Sequence, residues 1–175
     1  MNEVLKAIKE RRSCRKFKPE LPPAELINQI CEAGSYAPTG MNRQSPIIIA
    51  VTKRSLRDRL SVMNAQVMGK SDFDPFYGAP VVLIVLADKS IPTHVYDGSL
   101  VMQNLMLATH AVGLASCWIH RAKEEFETDE CKAILKELGI EGEYEGIGHC
   151  VVGYAEDAPK VNALRKANYI YHIDD

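Results

Sequence analysis

Val81-Val82-Leu83-Ile84-Val85-Leu86-Ala87 is an unbroken apolar run, rich in β-branched residues and with no polar position to mark a solvent face. A strand of that kind is buried on both sides, which calls for helices above and below a sheet. Working outward, Ile47 to Thr52 reads as a second buried strand, Ala115 to Ile119 as a third and Ile147 to Tyr154 as a fourth. Helices are predicted between them. One starts at a capping pair, Ser55 and Asp58, and runs through Leu60 and Met63. Another spans Gly98 to Ala111, capped by Asp97, with Leu100, Val101, Leu105 and Ala108 inward and Gly113 as its stop. A third starts at Thr128 or Asp129, carries Cys131, Ile134, Leu135 and Leu138, and stops at Gly139.

Two helices precede the first strand. Asn2 caps one whose Val4, Leu5 and Ile8 form a single apolar stripe; it is expected to run into a basic cluster and stop before Pro19. Pro22-Pro23 opens the next, with Leu26, Ile27 and Ile30 on one face and an end near Gly34. Residues 35–46 and 69–80 hold too many breakers for regular structure. After Pro159 the chain carries Arg165-Lys166, and then Tyr169 to Ile173 alternates as an edge strand does. That strand either docks on its own sheet or adds to the sheet of a partner subunit. Helices first, then strands alternating with helices, predict an α/β or α+β sandwich in one domain over residues 1–175.

Composition narrows the function. In 175 residues, 21 basic and 23 acidic side chains give a net charge of -2, which argues against general affinity for nucleic acid or anionic membrane. Met1 to Glu10 alternates charged and apolar residues, so no secretory signal is expected, and no apolar run approaches the roughly 20 residues that span a bilayer. Cys14, Cys31, Cys117, Cys131 and Cys150 are odd in number and lack a C-x-x-C pair, as expected of reduced thiols in the cytoplasm. His94, His110, His120, His149 and His172 show no helical pairing with one another, and a zinc site is not expected.

Arg11, Arg12, Arg15, Lys16 and Lys18 crowd the stretch 11–18 around Ser13. Guanidinium forks beside a short hydroxyl suit an anionic ligand such as phosphate, while a plain helix end also favours cations. In the 35–46 loop, Asn42 and Gln44 offer amides that both donate and accept, as a heterocyclic ring edge requires. Pro38-Thr39-Gly40 lets backbone approach a flat ligand closely. The same amides could equally satisfy loop backbone, and Arg165-Lys166 either completes a phosphate clamp or lies in solvent. Cys14 lies among cations that favour a thiolate, although a packed cysteine is the commoner outcome. Glu124, Glu125, Glu127, Asp129 and Glu130 read as a solvated helix start. There is no G-x-G-x-x-G after a strand, no Walker A lysine loop and no G-x-S-x-G elbow.

Taken together, four segments resemble the nitroreductase family of FMN-dependent oxidoreductases. Arg11-Arg12-Ser13-Cys14-Arg15-Lys16-Phe17 resembles its R-R-S-x-R-x-F opening, and Ala37 to Pro46 its A-P-S/T-x-x-N-x-Q-P loop. Gln103-Asn104-Leu105 with Gly113 to Ile119 resembles its central helix and following strand. Gly153-Tyr154, Pro159-Lys160 and Arg165-Lys166 resemble its closing segment. The resemblance implies a three-layer α-β-α fold of the α+β class with a mixed, largely antiparallel sheet. It also implies an extensive homodimer, with FMN at the subunit interface and the C-terminal strand open to exchange.

By residue match, Arg11, Arg12, Ser13 and Arg15 would hold the phosphate and the pyrimidine side of the flavin. Pro38, Thr39, Gly40, Asn42 and Gln44 would approach from the other subunit. Asn64 would lie near the ring, the backbone of His120 and Arg121 would face its N5, and Arg165 and Lys166 would close the phosphate clamp. No side chain is assigned a catalytic role. The implied activity is ping-pong reduction of a nitroaromatic, quinone or similar small oxidant by NADH or NADPH. Other flavin chemistry on this scaffold (enone reduction, dehalogenation, flavin fragmentation) and a non-catalytic flavin-binding module remain as alternatives. The chain is shorter than the better-known bacterial members and lacks their helical excursion over the site. His120-Arg121 also stands where many relatives carry small residues.

Overall fold

The structure is a computed structural model that describes residues 2–157 and 164–174. Its strands are β1 (Pro46–Val51), β2 (Val81–Asp88), β3 (Ala115–Ile119) and β4 (Tyr144–Gly153). Its helices are α1 (Glu3–Glu10), α2 (Ala24–Ser35), α3 (Arg54–Val67), α4 (His94–Ala111), α5 (Ala122–Phe126) and α6 (Asp129–Glu137). The sheet order is β1-β2-β4-β3, and every named pair is antiparallel. The mixed sheet expected from the family resemblance is thus antiparallel throughout its named strands, and a parallel bridge, Ser13 to Ser116, lies outside them.

β2 is the axis of the layers. Val81, Leu83, Val85 and Ala87 face Ile27 and Ile30 of α2 and Val101, Met102 and Leu105 of α4. Val82, Ile84 and Leu86 face Leu60 of α3, Phe126 of α5 and Cys131 and Leu135 of α6. Residues 81–87 of β2 are all fully buried, and only Asp88 at its end is not. At roughly 1.5–3 kcal/mol for each large apolar side chain buried, this strand anchors both helical layers. The α-β-α, α+β expectation is met.

Several expected boundaries move, each for a physical reason. α1 ends at Glu10, before the basic cluster. The chain turns extended at Arg11 so that Cys14 N can donate to Ser116 O (2.9 Å) and Phe17 can enter the α3-side core. The apolar stripe of α1 exists but faces outward, and no residue of this helix is buried. β1 is half-buried at most positions, as an edge strand is. Ser55 lies inside α3 and does not cap it; Asp58 instead accepts from Arg54 Nε at 2.8 Å and from Arg57 Nη1 at 3.0 Å.

α4 starts a turn early, at His94, so Asp97 is a buried first-turn residue and Leu100 points outward. Leu138 closes α6 from an exposed position, and α5 was not foreseen. Tyr169 to Ile173 was expected as a strand, but the described tail residues form only a short 3-10 turn, Ala167–Tyr169, and are exposed. Among the described residues no strand pairs with that segment to complete a ladder. Pro159 and Lys160 lie outside the described residues.

One irregularity in β4 sets the geometry below it. Val85 pairs with Gly148 but Leu86 pairs with Gly146, leaving Ile147 as an extra residue. A bulge of this kind breaks the alternation of faces. Ile147 therefore packs on the α4 side, where a Cβ on Gly98 would come within 2.5 Å of it. Gly146 and His149 end up on the opposite face, under α5. A Cβ on Gly146 would sit 2.1 Å from Ala122 O, so α5 rests directly on strand backbone. Gly146→Ala is accordingly expected to destabilise the fold by about 2–3 kcal/mol, as overpacking against backbone does. Urea denaturation reads this as a lower midpoint, and an unchanged midpoint would contradict the packing described.

Candidate functional site

The basic segment is held in extended form along the end of β3. It lines a cavity of about 510 Å³ together with His110, Leu114 and Ser116, and Arg12, Ser13, Arg15 and Lys16 are among its walls. Ser13 and Arg15 are exposed, whereas Arg11 is half-buried and its Nη1 is buried without a hydrogen-bond partner. An unpaired buried guanidinium nitrogen costs free energy unless a ligand anion meets it. Arg12 behaves differently: it donates to Lys9 O at 2.6 Å and also to Arg11 O, closing the carbonyl end of α1. Lys16 pairs in the open with Glu156 at 3.2 Å, a contact worth little at such exposure.

The loop that carries Pro38, Thr39, Gly40, Asn42 and Gln44 is pinned from beneath. Asp97, 3% exposed, accepts from Gly40 N (2.9 Å), Ser45 Oγ (2.9 Å) and Thr93 Oγ1 (3.0 Å). Burial opposes its charge, but these three donors outweigh it and hold the carboxyl below the usual carboxylate range. Met41, Asn42 and Gln44 all take positive φ (54°, 54° and 50°), a conformation that non-glycine residues keep only when their surroundings enforce it. Gln44 N donates to Thr39 Oγ1 at 3.0 Å, and Gln44 Nε2 to Asn42 Oδ1 at 3.3 Å. The amides of Asn42 and Gln44 stay exposed at the surface.

A third group forms where β3 ends. His120 is exposed, and Arg121 takes the left-handed conformation (φ 79°) as the N-cap of α5. Asn64 lies beneath, fully buried. Its Nδ2 donates to His120 O (2.8 Å) and to Glu125 Oε2 (2.9 Å), while its Oδ1 accepts from Arg121 Nε (3.0 Å). Glu125 and His149 are also fully buried, and His149 Nε2 donates to Glu125 Oε2. Glu125 was expected in solvent and His149 had drawn no role; a lone polar residue in the apolar run Ile147 to Tyr154 was the available signal. Ser116 and Asp97 were likewise missed as site-building residues.

Within one chain these groups stay apart. The cavity unites Arg12, Ser13 and Arg15 but includes none of Pro38, Thr39, Gly40, Asn42, Gln44, His120 or Arg121. Arg165 and Lys166 are exposed and do not line it; the Lys166 ammonium lies 5.6 Å from the Tyr169 ring centroid. Buried thiols offer no nucleophile, since burial pushes Cys150 up to about 12 and Cys131 up to about 11. Among the described residues, no three of the His, Cys, Asp and Glu side chains group as metal ligands do, and no helix is long and apolar enough to cross a membrane.

The fold is a helix-layered antiparallel sheet with a cationic segment, partly unsatisfied in hydrogen bonding, along the end of β3. The model of the nitroreductase family matches residues 8–154, and the chain belongs to that family. A nitroreductase with bound FMN from Bacteroides fragilis superposes with a TM-score of 0.89 at 30% identity, covering 99% of this chain and 100% of the other. A second, from Desulfitobacterium hafniense and also with bound FMN, gives 0.88 at 28% identity over 99% and 100%. A relative from Methanothermobacter thermautotrophicus, whose name joins NADH dehydrogenase with NAD(P)H nitroreductase, is 32% identical over 120 residues. That match covers 66% of this chain and 60% of the relative.

The Asp97 anchor yields a pH dependence. Its folded carboxyl titrates below the unfolded value of about 4, so its contribution is complete above that pH and is lost as pH falls through the folded value. Urea midpoints measured from pH 7 down to pH 3 are expected to fall more steeply for the wild type than for Asp97→Asn. Parallel curves would mean that the carboxylate is not the anchor.

Proposed function

We propose that this chain is an FMN-dependent NAD(P)H oxidoreductase that reduces nitroaromatic, quinone or similar small oxidants. The observation that carries the reading is the cavity walled by Arg12, Ser13 and Arg15, on the same segment as a buried Arg11 Nη1 that has no hydrogen-bond partner among the described residues. Guanidinium and hydroxyl donors from Arg12, Ser13 and Arg15 share the cavity wall and suit a phosphate, with Lys16 adding charge against the carboxylates of Glu10 and Asp157 that also line it. The FMN bound in the Bacteroides and Desulfitobacterium structures and the NAD(P)H in the archaeal relative's name agree with it. When bound, FMN would accept and pass on a hydride, chemistry that no side chain of this protein supplies.

The protein's own part is binding, orientation and electrostatics. Arg11, Ser13 and Arg15 hold the phosphate and the pyrimidine edge, and Arg12 adds charge at the rim while closing α1. Cations at that edge favour the reduced, anionic ring. With FMN bound, the backbone of His120 and Arg121 would face the reactive side of the ring with Asn64 supporting it from below, and Arg165 and Lys166, exposed in the single chain, would close the phosphate side. Reductant and oxidant would use one open face in turn, which suits a ping-pong order and a broad choice of oxidants.

The site is completed by a second copy of the chain. Val4, Leu5 and Ile8 of α1 and Tyr96 and Leu100 of α4 are exposed apolar side chains, more than a lone soluble chain needs on adjacent helices. In the homodimer the loop carrying Pro38, Thr39, Gly40, Asn42 and Gln44 would meet the partner's flavin, and the tail with Tyr169 to Ile173 would cross to the partner's sheet. The chain works as one domain in the cytoplasm.

The visible spectrum of the purified protein tests the reading: a yellow protein that bleaches with NADH or NADPH and turns over nitrofurazone supports it. Bleaching without nitro turnover would point to other flavin chemistry, and a colourless protein that FMN cannot reconstitute would overturn the proposal. Arg11→Ala and Arg15→Ala are each expected to weaken FMN binding by about tenfold or more, from lost charge-assisted contacts. Flavin fluorescence titration reads that loss, and unchanged affinity would remove both from the site. Deletion of residues 159–175 is expected to shift the dimer toward monomer in analytical ultracentrifugation, and an intact dimer would count against tail exchange.

A further inference from the structure

The turn at 120–121 rests on groups whose burial is costly. Glu125 and His149 are both fully buried, and Glu125 Oε1 and His149 Nδ1 have no hydrogen-bond partner among the described residues. A buried polar atom left without a partner forfeits its hydration without recompense. The His149 ring is fixed edge-on to Phe76 (centroids 5.2 Å apart, planes at 62°), and the Arg57 guanidinium lies 5.4 Å from the other ring's centroid. Nothing in the folding of the sheet requires a carboxylate and an imidazole there.

We infer that Glu125 and His149 are a buried positioning pair that sets which way the Asn64 amide faces, and through it the outward direction of the Arg121 N–H. This rests on the placement of the 120–121 turn against bound FMN proposed above. A side-chain amide is nearly symmetric in shape, so sterics alone do not choose between its NH2 and its oxygen. Glu125 Oε2 chooses, because only the NH2 can face an acceptor, and His149 Nε2 holds that oxygen in place. The second N–H of Asn64 is then free to donate to His120 O, and its oxygen accepts from Arg121 Nε. In a trans peptide the carbonyl and the next N–H point in opposite directions. Drawing His120 O inward therefore turns the Arg121 N–H outward, where an acceptor atom of a flat ring can take it. The left-handed Arg121 backbone, disfavoured for a residue with a Cβ, is kept by the same contacts.

The test uses full-length protein labelled with 15N-arginine, with and without FMN, the Arg121 amide signal being identified by its loss in Arg121→Lys. In wild type the Arg121 amide is expected to shift on FMN binding. Glu125→Gln, whose side-chain oxygen still accepts from Asn64, retains that shift. Glu125→Leu loses it, moves the flavin midpoint potential, and alters the Arg121 signal even without FMN, while the other arginine amides stay in place. Should Glu125→Leu not fold, Asn64→Asp reads the same quantity, since it replaces NH2 by oxygen without change of shape.

An Arg121 signal identical in wild type and the disrupting variants overturns the inference. So does an Arg121 amide that does not respond while FMN demonstrably binds the wild type. A wild type that binds no FMN overturns the proposed function instead, and the flavin-free spectra still decide the role of the pair.

Discussion

The bulge at Ile147 is the constraint on which the rest depends. By adding one residue opposite the Val85–Leu86 step, it places Gly146 and His149 on one face of β4 and Ile147 and Gly148 on the other. Gly146 then admits the backbone of α5, and His149 reaches Glu125 on that helix. With strict alternation Gly146 and His149 would lie on opposite faces, and either α5 or the buried pair would lose its seat. The bulge thus ties a detail of strand pairing to the conformation of Arg121, which enters α5 at positive φ.

The two candidate walls of the site are built by opposite means. The 11–17 segment is extended and loosely satisfied, kept in place by a bridge to Ser116 and by the burial of Phe17. The 38–44 loop is over-determined: one buried carboxylate, Asp97, accepts three donors and holds a run of left-handed residues at the surface. A cationic wall needs room to fit around an anion, whereas a wall that presents amides to a flat ring needs fixed geometry. Both arrangements fit a protein that leaves the difficult chemistry to a cofactor and spends its own structure on orientation.

Much of this was legible in the residues. The apolar run at 81–87, the Pro22-Pro23 helix start, the glycine stops at 113 and 139 and the Thr128 cap all carry local signals that survive folding, because each acts over a few residues. The family was legible because four motifs occur in order along the chain. Errors arose where a local signal was outbid from a distance. Asp97 looked like a cap, yet donors from the 39–45 loop and Thr93 claim it as a buried anchor. Glu125 looked like one of several solvated acids, and Leu100 like a core residue. The tail alternates as a strand does, yet a ladder needs a neighbour, and the described residues of this chain provide none.

The sequence by itself determined the layers, the helix and strand types, the nitroreductase family and the cationic, amide-bearing segments, since periodicity, caps and ordered motifs are written in neighbouring residues. Only the tertiary structure decided that the basic segment is extended and not helical, and that Arg12 closes α1 while Arg11 Nη1 is buried with no hydrogen-bond partner among the described residues. It alone showed that Asn64, Glu125 and His149 meet beneath Arg121. Those three come from α3, α5 and β4, and no spacing along the chain records their meeting. It depends on a one-residue bulge and on the absence of a Cβ at Gly146, which are properties of packing in three dimensions.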